Sequence, residues 1–143
     1  MRTLRVSFLV AIVACSARSP GTSVVFTSGT HTLRLRVEVA ATPVERQRGL
    51  MGRPSIPSGT GMLFDYQGQT STGGYWMKDT LVPLDIAFIR SGRITEIDPM
   101  TPCRADPCPL TVPPKPYDQV VEAPAGTFGP AGIAAGAAVV LET

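Results

Sequence analysis

Leu33, Leu35, Val37 and Val39 alternate with Arg34, Arg36 and Glu38. A period of two sets successive side chains on opposite faces, so this stretch reads as a half-buried β-strand. Thr42-Pro43-Val44-Glu45 then carries a helix-start signature: a capping Thr, Pro at the first helical position and Glu three residues after the cap. That helix is short and ends by Gly52-Arg53-Pro54, with Val44 and Met51 on its apolar side. Residues 61–65 read as the next strand, and 67–74 as a polar, Gly-rich hairpin loop. After it, Tyr75 and Met77 fall on one face of an extended strand and Trp76 and Lys78 on the other, with Asp79-Thr80 as the exit. Residues 84–89 are apolar apart from Asp85, which predicts a strand buried on both faces. Arg90-Ser91-Gly92-Arg93 is a tight hairpin connection into a strand holding Ile94 and Ile97. Residues 117–123 and 137–141 read as the last strands, with a short helical turn between them. The pattern predicts an α+β fold, mainly antiparallel β: a compact barrel-like or strongly bent sheet of six to seven short strands with one or two short helices.

The N-terminus follows a different pattern. Arg2 and Arg5 precede the apolar stretch 6–14, which is too short to span a bilayer as a mature helix. It closes on Ile12-Val13-Ala14-Cys15, the residue order of a bacterial lipobox. The expected organisation is a lipoprotein signal peptide over 1–14, a lipidated N-terminus and tether over 15–30, and one globular domain over 31–143. An ordinary cleaved signal with a chance Cys, and a first strand beginning at Val24-Val25-Phe26, stay open as alternatives. Several acyl chains on the Cys15 thiol give stable anchoring where one chain is marginal. The expected location is therefore extracytoplasmic, on the periplasmic side of the bacterial cell envelope. The chain has 13 Lys and Arg against 11 Asp and Glu, and losing Arg2 and Arg5 leaves 11 against 11. A near-neutral domain lacks the basic surface that nucleic acid requires.

Residues 99–116 hold seven of the 14 prolines and no usable periodicity, which marks a long irregular loop. It carries Cys103 and Cys108 with four residues between them, so this is not the two-residue spacing of thioredoxin-like motifs. In an oxidising compartment the two are expected to pair as a disulfide, leaving Cys15 for lipid. A zinc site needs further ligands, and His31 is the only His. The methionines lack cluster spacing, and Met is a common core filler. No metal and no cofactor is indicated.

Four marks together resemble a known family, the domain of unknown function 192: Glu45-Arg46-Gln47-Arg48-Gly49-Leu50-Met51; Gly61-Met62-Leu63-Phe64; Trp76-Met77-Lys78-Asp79-Thr80-Leu81-Val82-Pro83-Leu84-Asp85-Ile86-Ala87-Phe88-Ile89; and the segment around Cys103 to Pro109. The resemblance runs from about residue 33 to 141. It implies a small domain of mixed strands, often secreted or membrane-attached, and implies no activity. The family usually has Asn where Asp79 stands, which suits a hydrogen-bonding role at that position rather than a base.

Tyr75, Trp76, Lys78, Asp79, Asp85 and Asp106 are the candidate ligand-binding residues, for they put aromatic faces and polar groups among apolar strands. A carboxylate in a buried strand needs a partner, so Asp85 reads equally as one half of an ion pair. Three function classes follow. The first is a non-catalytic binding or accessory module for a small polar ligand, a glycan or an envelope protein. The second is an envelope enzyme, with glycans as a candidate substrate class, dividing acid and base roles between Asp85 and either Asp79 or Asp106. The third is a purely structural lipoprotein. No catalytic residue is assigned.

Overall fold

The structure, a computed structural model, describes residues 21–143. The signal peptide expected over 1–14 and the lipidation expected at Cys15 lie outside the described residues. Seven strands form one closed barrel: β1 (Ser23–Ser28), β2 (His31–Ala40), β3 (Thr60–Asp65), β4 (Leu84–Arg90), β5 (Arg93–Met100), β6 (Gln119–Pro124) and β7 (Ala138–Glu142). Their order around the barrel is β1-β2-β3-β6-β4-β5-β7. Helix α1 (Pro43–Arg48) links β2 to β3, and a 3-10 turn (Gly129–Ala131) precedes β7.

Neighbouring strands run antiparallel except β2 and β3, which pair in parallel from Arg36 with Thr60 to Ala40 with Phe64. Parallel neighbours need a long crossover, and α1 with its flanking turns supplies it. The helix starts as its residues dictate: the Thr42 hydroxyl accepts from the Glu45 N–H at 3.2 Å, and the Glu45 carboxylate accepts from the Thr42 N–H at 2.9 Å. Its apolar contact differs from expectation. Val44 is 77% exposed, and the buried anchor is Leu50, just beyond the helix.

Other departures have local causes. Residues 23–28, placed within the expected tether over 15–30, form a strand between β2 and β7 because Val24 and Phe26 find inward positions, which is the alternative of a first strand at Val24-Val25-Phe26. The strand expected at Tyr75-Trp76-Met77-Lys78 does not form. Its backbone makes one two-bond bridge, between Tyr75 and Thr111, and then turns, with the Thr80 N–H donating to the Met77 carbonyl at 3.1 Å. The alternation of faces survives nonetheless: Met77 is buried and Trp76 exposed. In β2 the alternation holds through Val37. Val39 is then 42% exposed, while Ala40 is buried on the opposite face. The Ser91-Gly92 hairpin turn has positive φ at both residues, 49° and 72°, as a two-residue connection requires.

The core has two parts. Inside the barrel lie Val24, Phe26, Leu35, Leu63, Ile89, Val121 and their neighbours. A second cluster covers the outer face of β3, β4 and β6, where Met62, Phe64, Ile86, Phe88 and Val120 pack against Leu50, Met77 and Tyr117. These three strands are therefore buried on both faces, which explains the nearly continuous apolar run of β4.

Candidate functional site

Strand β6 is the middle of the doubly buried wall, flanked by β3 and β4. Its residues alternate strictly: Val121 and Ala123 point into the barrel, and Val120 and Glu122 point outward. Glu122 thus projects onto the outer face, with Met62 on one side and Ile86 on the other as cross-strand neighbours. Gly61 lets β3 close onto β6 there, since a Cβ at that position would stand 2.3 Å from the Glu122 carbonyl oxygen.

The layer over this face is built from the aromatic residues. Tyr75 packs edge-on to Phe64 and Phe88, with ring centroids 5.1 and 5.9 Å away. Its hydroxyl lies 3.0 Å from that of Tyr66, and the Tyr66 hydroxyl lies 3.5 Å from that of Tyr117. Tyr117 donates to the Gly73 carbonyl at 2.8 Å and accepts from Ser71 at 3.1 Å. These bonds hold the segment from Ser71 to Tyr75 against the wall. Burial, reinforced by the Tyr66 hydroxyl, pushes the Tyr75 phenol well above its usual range. Burial likewise raises Tyr117. At neutral pH these phenols stay protonated and serve as hydrogen-bonding struts. From the side, the Gly52 N–H donates to the Asp79 carbonyl at 2.8 Å and ties the loop after α1 to the same segment.

A cleft of about 270 Å³ remains between α1, this aromatic layer and β6. Arg46, Arg48, Tyr66, Tyr75, Trp76, Thr80 and Glu122 line it. Glu122 is only 5% exposed, and burial is the sole cause that moves its pKa, from 4.5 up to about 8. No hydrogen bond to its carboxyl group is formed among the described residues. At pH 7 the side chain is mostly a neutral acid, able both to donate and to accept a hydrogen bond. Arg46 stacks 4.5 Å over the Tyr66 ring and donates to the carbonyls of Ala41 and Asp65. Neither Arg46 nor Arg48 pairs with a carboxylate among the described residues, whereas Arg34, Arg53, Lys78 and Arg90 do.

Trp76 divides this cleft from a shallower groove of about 500 Å³ lined by Val44, Gln47, Arg48, Met51, Lys78 and Asp79. Trp76 is 41% exposed, with the Lys78 ammonium 5.6 Å from its ring centroid. Lys78 also reaches the Asp106 carboxylate at 3.3 Å. Asp106 belongs to the loop closed by the disulfide Cys103–Cys108. Lys78, Asp79 and Asp106 line a further small hollow beside that loop.

The structure therefore gathers Tyr75, Trp76, Lys78, Asp79 and Asp106 along one surface, and removes Asp85 from it. The Asp85 carboxylate accepts from the backbone N–H groups of Gly126 and Thr127 at 2.9 and 3.1 Å. It secures the turn after β6 and lines neither of the hollows that Trp76 borders. No Lys or Arg pairs with it among the described residues, since backbone donors satisfy it first. Arg46, Arg48, Tyr66, Thr80 and Glu122, all at the cleft, lay outside the candidate set. Glu122 carries the same signal as Asp85, one carboxylate in an apolar strand. Arg48 reads as solvated surface until the fold places it at a cavity rim.

The solved structures of two bacterial proteins resemble this chain. One, from Sinorhizobium meliloti 1021, is provisionally described as a transcription regulator; it is 33% identical, with a TM-score of 0.76 over 84% of this chain and 93% of that one. The other, a protein of unknown function from Novosphingobium aromaticivorans DSM 12444, is 27% identical, with a TM-score of 0.74 over 82% and 83%. No curated protein matches. The match to the DUF192 family model, described as an uncharacterized ACR, extends over residues 24–141, and this chain belongs to that family.

Proposed function

We propose that this chain is an extracytoplasmic, lipid-anchored binding module of the cell envelope, and that the cleft over β6 takes a small polar ligand. The observation that carries the reading is Glu122: a carboxyl group almost sealed from water, unpartnered among the described residues, that opens only onto this cleft. The Glu122 carboxyl oxygens reach solvent through the cleft, so a ligand there can take the place of water as their hydrogen-bond partner. Trp76 offers an exposed aromatic face at the mouth, a combination typical of sites that orient a ligand by few polar contacts. The lipobox order at Ile12-Val13-Ala14-Cys15 supports the anchor, and the disulfide Cys103–Cys108 suits an oxidising compartment. Mature charge near neutrality favours a small ligand over nucleic acid.

The raised pKa of Glu122 favours a second reading, in which the same group moves a proton to or from a bound substrate. The pairs Asp85 with Asp79 and Asp85 with Asp106 do not suit that role, because Asp85 is held on backbone amides away from the cleft. A thermal-shift panel of neutral sugars, amino sugars and small organic acids tests the binding reading. Ligands are expected that raise Tm for the wild type and fail to do so for Trp76→Ala. A panel without any hit, or hits that Trp76→Ala leaves intact, sinks it. Turnover of a bound compound that stops in Glu122→Gln moves the assignment to the enzyme.

A further inference from the structure

The charges around the cleft are lopsided. Its lining contains two guanidinium groups, of Arg46 and Arg48, and one acid, Glu122. Elsewhere among the described residues the ion pairs use Arg34, Arg53, Lys78 and Arg90. Arg46 is fixed by two carbonyls and the Tyr66 ring, which hold its position without a carboxylate in direct contact, although the charge of Glu45 lies near enough to feel it. Arg48 is exposed at the rim. The titratable and charged groups facing Glu122 across the cleft are Arg46 and Arg48 from α1 and the phenols of Tyr66 and Tyr75. Its strand neighbours Met62 and Ile86 are apolar. Such a cleft has a cationic rim, an aromatic wall and a floor that both donates and accepts a hydrogen bond.

Resting on the binding reading above, we propose that the ligand is a small hydroxylated carboxylate, chemically a sugar acid. Its carboxylate meets the Arg46 and Arg48 rim, its ring lies on Trp76 and one hydroxyl bonds to Glu122. Guanidinium groups favour carboxylates because their N–H fork matches the two oxygens. A hydroxyl complements a carboxylic acid, since each group can give and take one hydrogen bond. The volume of about 270 Å³ falls just under the roughly 300–1,000 Å³ of sites for drug-sized ligands, so a single residue fits the deep part. A longer chain would continue past Trp76 into the groove bordered by Lys78.

The test is calorimetric titration of the purified protein with D-glucuronate and, in parallel, D-glucose. Glucuronate is expected to bind at least about tenfold tighter, with Arg48→Gln removing most of that preference. Arg48 is exposed, so its substitution leaves the fold intact. Between pH 7 and 9 glucuronate affinity is expected to fall as Glu122 ionises and repels the carboxylate, and in Glu122→Gln this decline is expected to vanish. Glucose binding as tightly as glucuronate overturns the charge assignment and leaves the cleft a binding site. Binding of neither, with an uncharged or amino sugar bound in a Trp76-dependent way, overturns the sugar-acid inference alone. Binding of neither, with an empty panel, overturns both.

Discussion

Asp85 and Glu122 are two carboxylates in adjacent, mostly apolar strands, one residue out of register across the β4 and β6 pair. Asp85 sits on the side of the barrel interior and is answered by two backbone N–H groups at the turn after β6. Glu122 sits on the outer face, between Met62 and Ile86, and meets only a cleft. The same side-chain chemistry thus has two uses. Where backbone donors satisfy the carboxylate, it fastens the chain; where they do not, it is left available to something from outside.

The sharpest way to break this comparison is pH. Glu122 holds its proton up to about pH 8 in the folded state and only to about 4.5 when unfolded. Between those values the native state binds more protons, so stability declines as pH rises from about 4.5 to 8 and levels off above. Glu122→Gln removes the buried ionisation and is expected to raise stability at pH 9 by on the order of 4 kcal/mol, with little change at pH 4. Urea unfolding at both pH values reads this directly; an equal effect at each would mean that Glu122 is not a buried acid. Asp85→Ala is expected to cost about 2 kcal/mol by the same measurement, because it leaves the Gly126 and Thr127 N–H groups without their acceptor. Asp85→Asn, which keeps an acceptor oxygen, should recover part of that loss, whereas a need for the charge itself would leave Asn as poor as Ala. Replacing Cys103 and Cys108 with Ala should cost no more than about 2 kcal/mol, because the closed loop is short. Hydrogen exchange is expected to show the loosening around Lys78 and Asp106 and none in β6. The smallest stability effect, under about 1 kcal/mol, is expected for Trp76→Ala, whose side chain is largely outside the core. A large loss there would make Trp76 a packing residue and weaken its place at the cleft.

Much of the barrel was legible because a local rule produces each piece. The alternation from Leu33 to Val37, the Thr42 and Glu45 cap, the Ser91-Gly92 turn and the Cys pair all depend on neighbours close in sequence. The parallel pairing of β2 with β3 was not legible, since it depends on where a crossover lands. The extended segment at Trp76 alternates like a strand, yet its backbone pairing is the single bridge of Tyr75 with Thr111, in a Pro-rich loop whose path no periodicity reveals. The candidate site was half visible. Aromatic and charged residues around Trp76 stood out by type. Glu122 stood in a stretch that reads simply as a strand, and its isolation became evident only when β3 and β4 closed on either side.

Strand β1 lies between β2 and β7, so that Ser23 faces Glu142 across the ladder and Arg34 pairs with Glu142. The seam that shuts the barrel therefore joins the first strand of the domain to its last. Such a seam closes late, after the slow search that distant contacts impose on a folding chain. Until the final strand has been synthesised, β1 has an unsatisfied edge, the kind of template on which chains pair wrongly. The same adjacency makes the domain a good subject for circular permutation. A short linker from the end of β7 to the start of β1, with new ends opened in the exposed loop around Gly68, should preserve the barrel while changing the order in which it is assembled.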